Sequence, residues 1–249
     1  MVINQLKDGN YINYDRYLQI LHEEDDIRYK LVFRLLFELK LRVSEICGQS
    51  TRRYCGNISC GYVIRQYDLA ESSSKFASKI KRHCECINKT PIWRSSLPGL
   101  KKNDINAVNS SEFGLPSSTN NIRIFGKGGK FAILPIPNER LTSWAGGLFD
   151  ELTDYFNGRH IKPEDTIFPM SRLSIYNRLG KYGRCINNIK QIHPHALRRS
   201  SAIYDAMVLK IPLNIIQHHL RHSTLNQTLE YCRLGASVGI AEYAKLRYA

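Results

Sequence analysis

Between Ile27 and Cys47 apolar Leu31, Phe33, Leu35, Leu36, Leu39 and Leu41 crowd among helix-forming Lys, Arg and Glu, a pattern that predicts a mostly helical, mostly buried element. Residues 48–98 then change character. They are rich in Cys, Arg, Lys and Ser and keep no clean period, which marks an insertion. A strand-like pattern appears in Asn121–Phe125 and Phe131–Pro135, on either side of Gly126-Lys127-Gly128-Gly129-Lys130, and predicts a hairpin whose glycine-rich tip presents two lysines.

Further on, Trp144, Leu148, Leu152 and Tyr155 follow helical spacing up to Asn157-Gly158, and the remainder reads as helical. Ser200 to Leu209 is expected to form one helix. Leu213, Ile215, Ile216 and Leu220 form the apolar side of the next, behind Pro212, and Thr224 to Arg233 form another. Val238, Ile240, Ala241, Tyr243, Ala244 and Leu246 make a short amphipathic tail. The expected fold class is therefore mainly α with a small antiparallel β-sheet. The chain contains no internal repeats.

The length of 249 residues suffices for one sizeable core, and no apolar run is long enough to span a bilayer. The opening segment has early Asp and Asn and no apolar stretch, so it resembles neither a secretory signal nor a transit peptide. An intracellular protein with access to DNA is expected, not a secreted one. Seven cysteines, an odd number without an export signal, point to free thiols or a metal site in a reducing compartment. The formal charge of +14 sets up a cationic field that attracts a phosphate backbone irrespective of sequence.

Four ordered pieces carry chemistry: Arg42-Val43-Ser44-Glu45, the Gly126–Lys130 turn, His195-Ala196-Leu197-Arg198, and Leu220-Arg221-His222-Ser223 with Tyr231 nine residues after His222. A lone His-x-x-Arg is uninformative in so basic a chain; the ordered set is not. A phosphodiester under attack gathers charge on its non-bridging oxygens, and the permanently charged fork of arginine suits that charge, so Arg42 and Arg198 form a candidate clamp with His195 and His222 as further donors. A break that must be resealed needs a side-chain nucleophile that conserves the bond energy.

In these motifs, over roughly residues 28 to 234 apart from the insertion, the chain resembles the catalytic domain of the tyrosine recombinases, the phage-integrase type. The resemblance implies that Tyr231 attacks phosphorus, forms a 3′-phosphotyrosyl link and releases a 5′-hydroxyl that later attacks back, without metal or other cofactor. It matches Lys127 to the general acid that protonates the leaving oxygen, with Lys130 the competing assignment. Glu45 is expected to orient hydrogen bonds, and Lys130, Arg199 and Arg221 to contact DNA. It further implies a site-specific recombinase or integrase of a mobile element or virus, acting on double-stranded DNA as a homotetramer on paired sites, with no membrane partner. The tail would dock on a neighbouring protomer.

A type IB topoisomerase or a hairpin-forming resolvase uses the same chemistry, and a non-catalytic DNA-binding module is the alternative of another class. The complete set from Arg42 to Tyr231 argues against the last, because a decayed enzyme loses its catalytic groups first. The expected organisation is an N-terminal segment, 1–26, and a catalytic domain, 27–249, carrying the insertion; the usual N-terminal core-binding domain is expected to be absent. Two stretches depart from the family pattern: Leu39-Lys40-Leu41 stands where most relatives have a glycine turn before the first arginine, and Arg199-Ser200 follows Arg198 where histidine and threonine are commoner. Within the insertion, Cys55, Cys60, His83, Cys84 and Cys86 are a candidate structural zinc set beside nine Lys or Arg residues. The other reading is a basic loop that touches DNA.

Overall fold

A computed structural model describes residues 11–48, 99–125, 131–187 and 192–232, together with the backbone of three short strands between them. Helix α1, Tyr14–Glu23, begins where Asn13 accepts the Arg16 N–H and buries Tyr17, Ile20 and Leu21. The sequence pattern predicted no element there, because only those three positions of a polar segment are buried. Helix α2, Ile27–Phe37, is capped by Asp26 and is the central strut of the core, with every residue from Leu31 to Phe37 buried.

The single helical stretch expected over 27–47 is interrupted. Lys40 takes a left-handed backbone, φ 50°, and helix α3 restarts at Val43–Cys47. Leu39 and Leu41 stay buried on either side of the break, so the apolar period continues through residues that are not helical.

Strands β1 (Arg52–Tyr54), β2 (Val63–Ile64) and β3 (Ile92–Arg94) form an antiparallel sheet in the order β2-β1-β3 within the segment read as an insertion without a period. The second sheet is the predicted hairpin: β4, Asn121–Phe125, pairs antiparallel with β5, Phe131–Pro135, in register Asn121↔Pro135 to Phe125↔Phe131. Lys127, Lys130 and the candidate zinc residues Cys55, Cys60, His83, Cys84 and Cys86 lie outside the described residues, as does the tail after Cys232.

Helix α4 is Leu148–Gly158 and helix α5 is Arg172–Asn187. Trp144, expected on the former, precedes it and is exposed, its ring edge-on to His22 at 5.2 Å. Helix α6, Pro194–Met207, starts earlier than the predicted Ser200, because Pro194 fits a first helical turn and His193 caps it. Helix α7, Leu213–Leu220, buries Ile216 and Leu220 but leaves the predicted core residue Ile215 exposed; helix α8 is Leu225–Cys232. The main core joins α1 and α2 to β4, β5, α4, α5 and the start of α6; a smaller cluster of Ala202, Ile203, Ile216, Leu220 and Cys232 ties α6 to α7 and α8. Cys47 and Cys232 are free thiols. Among the described residues no helix is long and apolar enough to cross a membrane.

Candidate active site

Where α3, α6 and α8 meet, an open cleft of about 700 Å³ is lined by Arg42, His195, Arg198, Arg199, His222 and Tyr231, with His193, Gln227 and Glu230 at its walls. The left-handed turn at Lys40 ends α2 and leaves Arg42 extended at the N-cap of α3. Glu45, one turn on, accepts the Arg42 backbone N–H at 2.6 Å and the Arg42 guanidinium at 2.8 Å, a pair of bonds that fixes the arginine relative to the helix.

Arg198 comes from the first turns of α6 and is 2% exposed. Its Nη2 donates to the Leu220 carbonyl at 2.5 Å and its Nη1 to the Lys40 carbonyl, so two loops converge on one guanidinium. The Glu45 carboxylate stands 3.9 Å away. Burial, and after it the charge of Arg221, push Arg198 down to about 10. It stays cationic at neutral pH, and a further anion would relieve the cost of burying it.

His222 follows the left-handed Arg221 (φ 56°) that ends α7, and its Nδ1 lies 3.0 Å from the Thr228 hydroxyl. Its ring meets the Tyr231 ring edge-on at 5.1 Å. Burial, then Arg198, Arg42 and Arg221, push His222 down to about 4; partial desolvation and Arg198 also lower His195. Both imidazoles are therefore neutral at pH 7. Each can donate one ring N–H, and each has a lone pair to accept a proton.

Tyr231, on α8, points its hydroxyl to the His195 carbonyl at 3.5 Å, and Arg199 Nε donates to the Tyr231 carbonyl at 2.8 Å. Burial raises the phenol, with Arg198 opposing, so the hydroxyl is protonated in the free protein and needs an acceptor before it can act as a nucleophile.

Seven of the ten residues proposed from the sequence for catalysis or DNA contact lie at or beside this cleft; six line it, and Glu45 is buried beneath. The Arg221 guanidinium pairs with Glu45 at 2.7 Å, and Arg221 is not among the residues lining the cleft. Lys127 and Lys130 are outside the described residues. Sequence reasoning missed His193, whose Nδ1 accepts the Ala196 N–H at 3.2 Å and whose ring stacks on Tyr176; its position immediately before Pro194 at a helix start was the available signal.

No protein-family model matches the chain, and no curated protein matches its sequence. Solved structures do. The XerA recombinase superimposes with a TM-score of 0.56 at 16% identity, over 95% of this chain and 65% of that one. A XerH site-specific recombinase bound to difH substrate in a pre-cleavage complex gives 0.50 at 14% identity, over 98% of this chain and 56% of that one. The chain thus spans less than two thirds of either. Identities this low speak to architecture alone, and the architecture is the tyrosine recombinase catalytic-domain fold.

Proposed function

We propose that the chain cleaves and rejoins duplex DNA by transesterification at Tyr231, as a site-specific recombinase. The observation that carries this reading is the convergence of Arg42, His195, Arg198, His222 and Tyr231, drawn from segments far apart in sequence, on one cleft whose buried arginine has backbone carbonyls for its close partners. A core built for stability alone has no use for that surplus of positive charge beside a phenol.

In the proposed reaction the scissile phosphate sits between Arg42 and Arg198, whose charge meets the negative charge that grows on the non-bridging oxygens. The Tyr231 hydroxyl attacks phosphorus, and its proton passes to neutral His195. The phosphorus–O5′ bond breaks, and Lys127 supplies the proton that leaves with the 5′-oxygen. The product is a 3′-phosphotyrosyl link and a free 5′-hydroxyl, and attack by a 5′-hydroxyl reverses every step. Bond energy is conserved, so no step calls for a cofactor. His222 donates to the phosphate, and Arg199 and Lys130 hold the flanking backbone. Paired sites and four protomers would bring two such breaks together for exchange. Residues 27–249 act as the catalytic domain in this reading.

A nicked suicide substrate tests it, because the short 5′-hydroxyl fragment diffuses away and traps the adduct. The wild-type chain should become covalently attached to DNA, and Tyr231→Phe should bind the same duplex and form no adduct. DNA binding without adduct from the wild type would reduce the chain to a binding module.

A further inference from the structure

Lys40 and Arg221 are both left-handed residues with a Cβ, φ 50° and 56°, and both turn long cationic side chains inward. Such backbone persists where the surroundings over-determine it, so these side chains have partners worth the strain. Lys40 is 3% exposed and pairs with Asp205 at 2.7 Å. Arg221 Nη1 donates to the His219 carbonyl at 2.8 Å, and its Nη2 is shared between the Lys40 carbonyl at 3.1 Å and Glu45 Oε2 at 2.7 Å.

The Lys40 carbonyl therefore receives both Arg198 and Arg221, and Glu45 is contested by three guanidinium groups. The distances decide the contest. Oε1 goes to Arg42 at 2.8 Å and Oε2 to Arg221 at 2.7 Å, which leaves Arg198 at 3.9 Å with its charge uncommitted.

We propose that Arg221 is a positioning residue, which holds Glu45 away from Arg198 so that Arg198 remains free for the phosphate while Arg42 stays pinned to α3. This rests on the functional reading above. Without Arg221 the Oε2 oxygen would find its charge partner in Arg198, and the carboxylate would occupy the guanidinium that the phosphate needs. The proposal differs from a DNA contact, in which Arg221 would neutralise a phosphate directly.

Two variants separate these roles. Arg221→Gln keeps an amide donor on a shorter side chain and removes the charge; Arg221→Gly suits the left-handed backbone and guards against misfolding, with thermal melting as the check. Both should lower the single-turnover cleavage rate at saturating DNA by about 10²-fold, as expected for a misplaced catalytic group. In Glu45→Gln the further change of Arg221→Gln should add little, because the two act as a unit.

A saturated rate equal to wild type, with a log–log salt slope smaller by about 0.9, would overturn the proposal and make Arg221 a phosphate contact. If the wild type itself forms no adduct, the functional reading fails, but the positioning claim is still decided by inorganic phosphate alone: it should raise the melting temperature of the wild type, do so much less for Arg221→Gln, and do so again for the Glu45→Gln/Arg221→Gln double variant, whose Arg198 no carboxylate covers. Failure of the double variant to recover overturns the proposal.

Discussion

Arg34 and Arg198 are both buried, at 1% and 2% exposure, yet the molecule treats the two charges in opposite ways. Arg34, on α2, is matched by Glu38 at 2.6 Å and Glu151 at 2.7 Å and donates to the Gly146 carbonyl at 3.0 Å. Burial alone would lower it, but the two carboxylates overcome burial and raise it. Arg198 has carbonyls for its close partners, shares a distant carboxylate with Arg42 and Arg221, and is pushed down. One arginine is a closed structural pair. The other has a carboxylate only at 3.9 Å, shared with two further guanidinium groups, and in the proposed reading it is the one that meets the phosphate.

The largest expected effect sharpens that contrast. Arg198→Ala should slow cleavage by about 10²- to 10³-fold, as loss of a donor to developing charge does, with a smaller loss of stability than Arg34→Ala, because it strands two carbonyls and not two carboxylates. Arg34→Ala should do the reverse. It strands two carboxylates and should cost about 3–5 kcal/mol in denaturant unfolding while the folded fraction cleaves normally. Equal stability losses in the two variants would break the comparison.

Lys127 comes next. Lys127→Ala should slow cleavage of ordinary DNA by about 10²-fold, the usual worth of a general acid. Replacing the bridging 5′-oxygen by sulfur gives a leaving group that departs as a thiolate, so the Lys127 variant should recover on that substrate and Arg198→Ala should not. An Ala variant that stays equally slow on sulfur would transfer the acid role to Lys130 or a histidine.

An anion preference at Arg198 should also appear without DNA. Inorganic phosphate at millimolar concentration should raise the melting temperature of the wild type through linkage, and should do so much less for Arg198→Ala. An identical rise in both would mean that phosphate binds elsewhere on the basic surface.

The elements that the sequence made legible are those whose signal is local. The hairpin strands 121–125 and 131–135 are short runs of strand-forming residues on either side of a glycine-rich turn, and His195 to Arg198 and His222 to Tyr231 are short-range spacings. What stayed hidden depends on distant partners. The Glu45–Arg221 pair joins residues 176 apart, and nothing near Arg221 indicates that its side chain turns inward. The break at Lys40 is masked because Leu39 and Leu41 both stay in the core across a left-handed turn. Helix α1 was hidden for a related reason: burial of Tyr17, Ile20 and Leu21 is dictated by the core that receives them.

The smallest effect concerns pH. His222 is held near 4 in the folded protein against an ordinary 6.5, so the unfolded chain binds the extra proton more readily between those values. The stability tied to its neutral form is complete above about pH 6.5 and declines as pH falls towards 4. His222→Gln should make the melting temperature less dependent on pH across that window. Some slope should remain, because burial beside Lys40 pushes His219 down to about 3. A slope unchanged by the substitution would mean that His222 does not feel the arginines of the cleft.

The most direct test of the whole account is to trap the covalent complex on a suicide substrate, digest it with protease and nuclease, and locate the nucleotide-bearing residue by mass spectrometry. The account predicts a single phosphotyrosyl adduct at Tyr231 in the peptide that contains Leu225–Cys232. An adduct at Tyr243 or on any other residue, or DNA bound without any adduct, would contradict it.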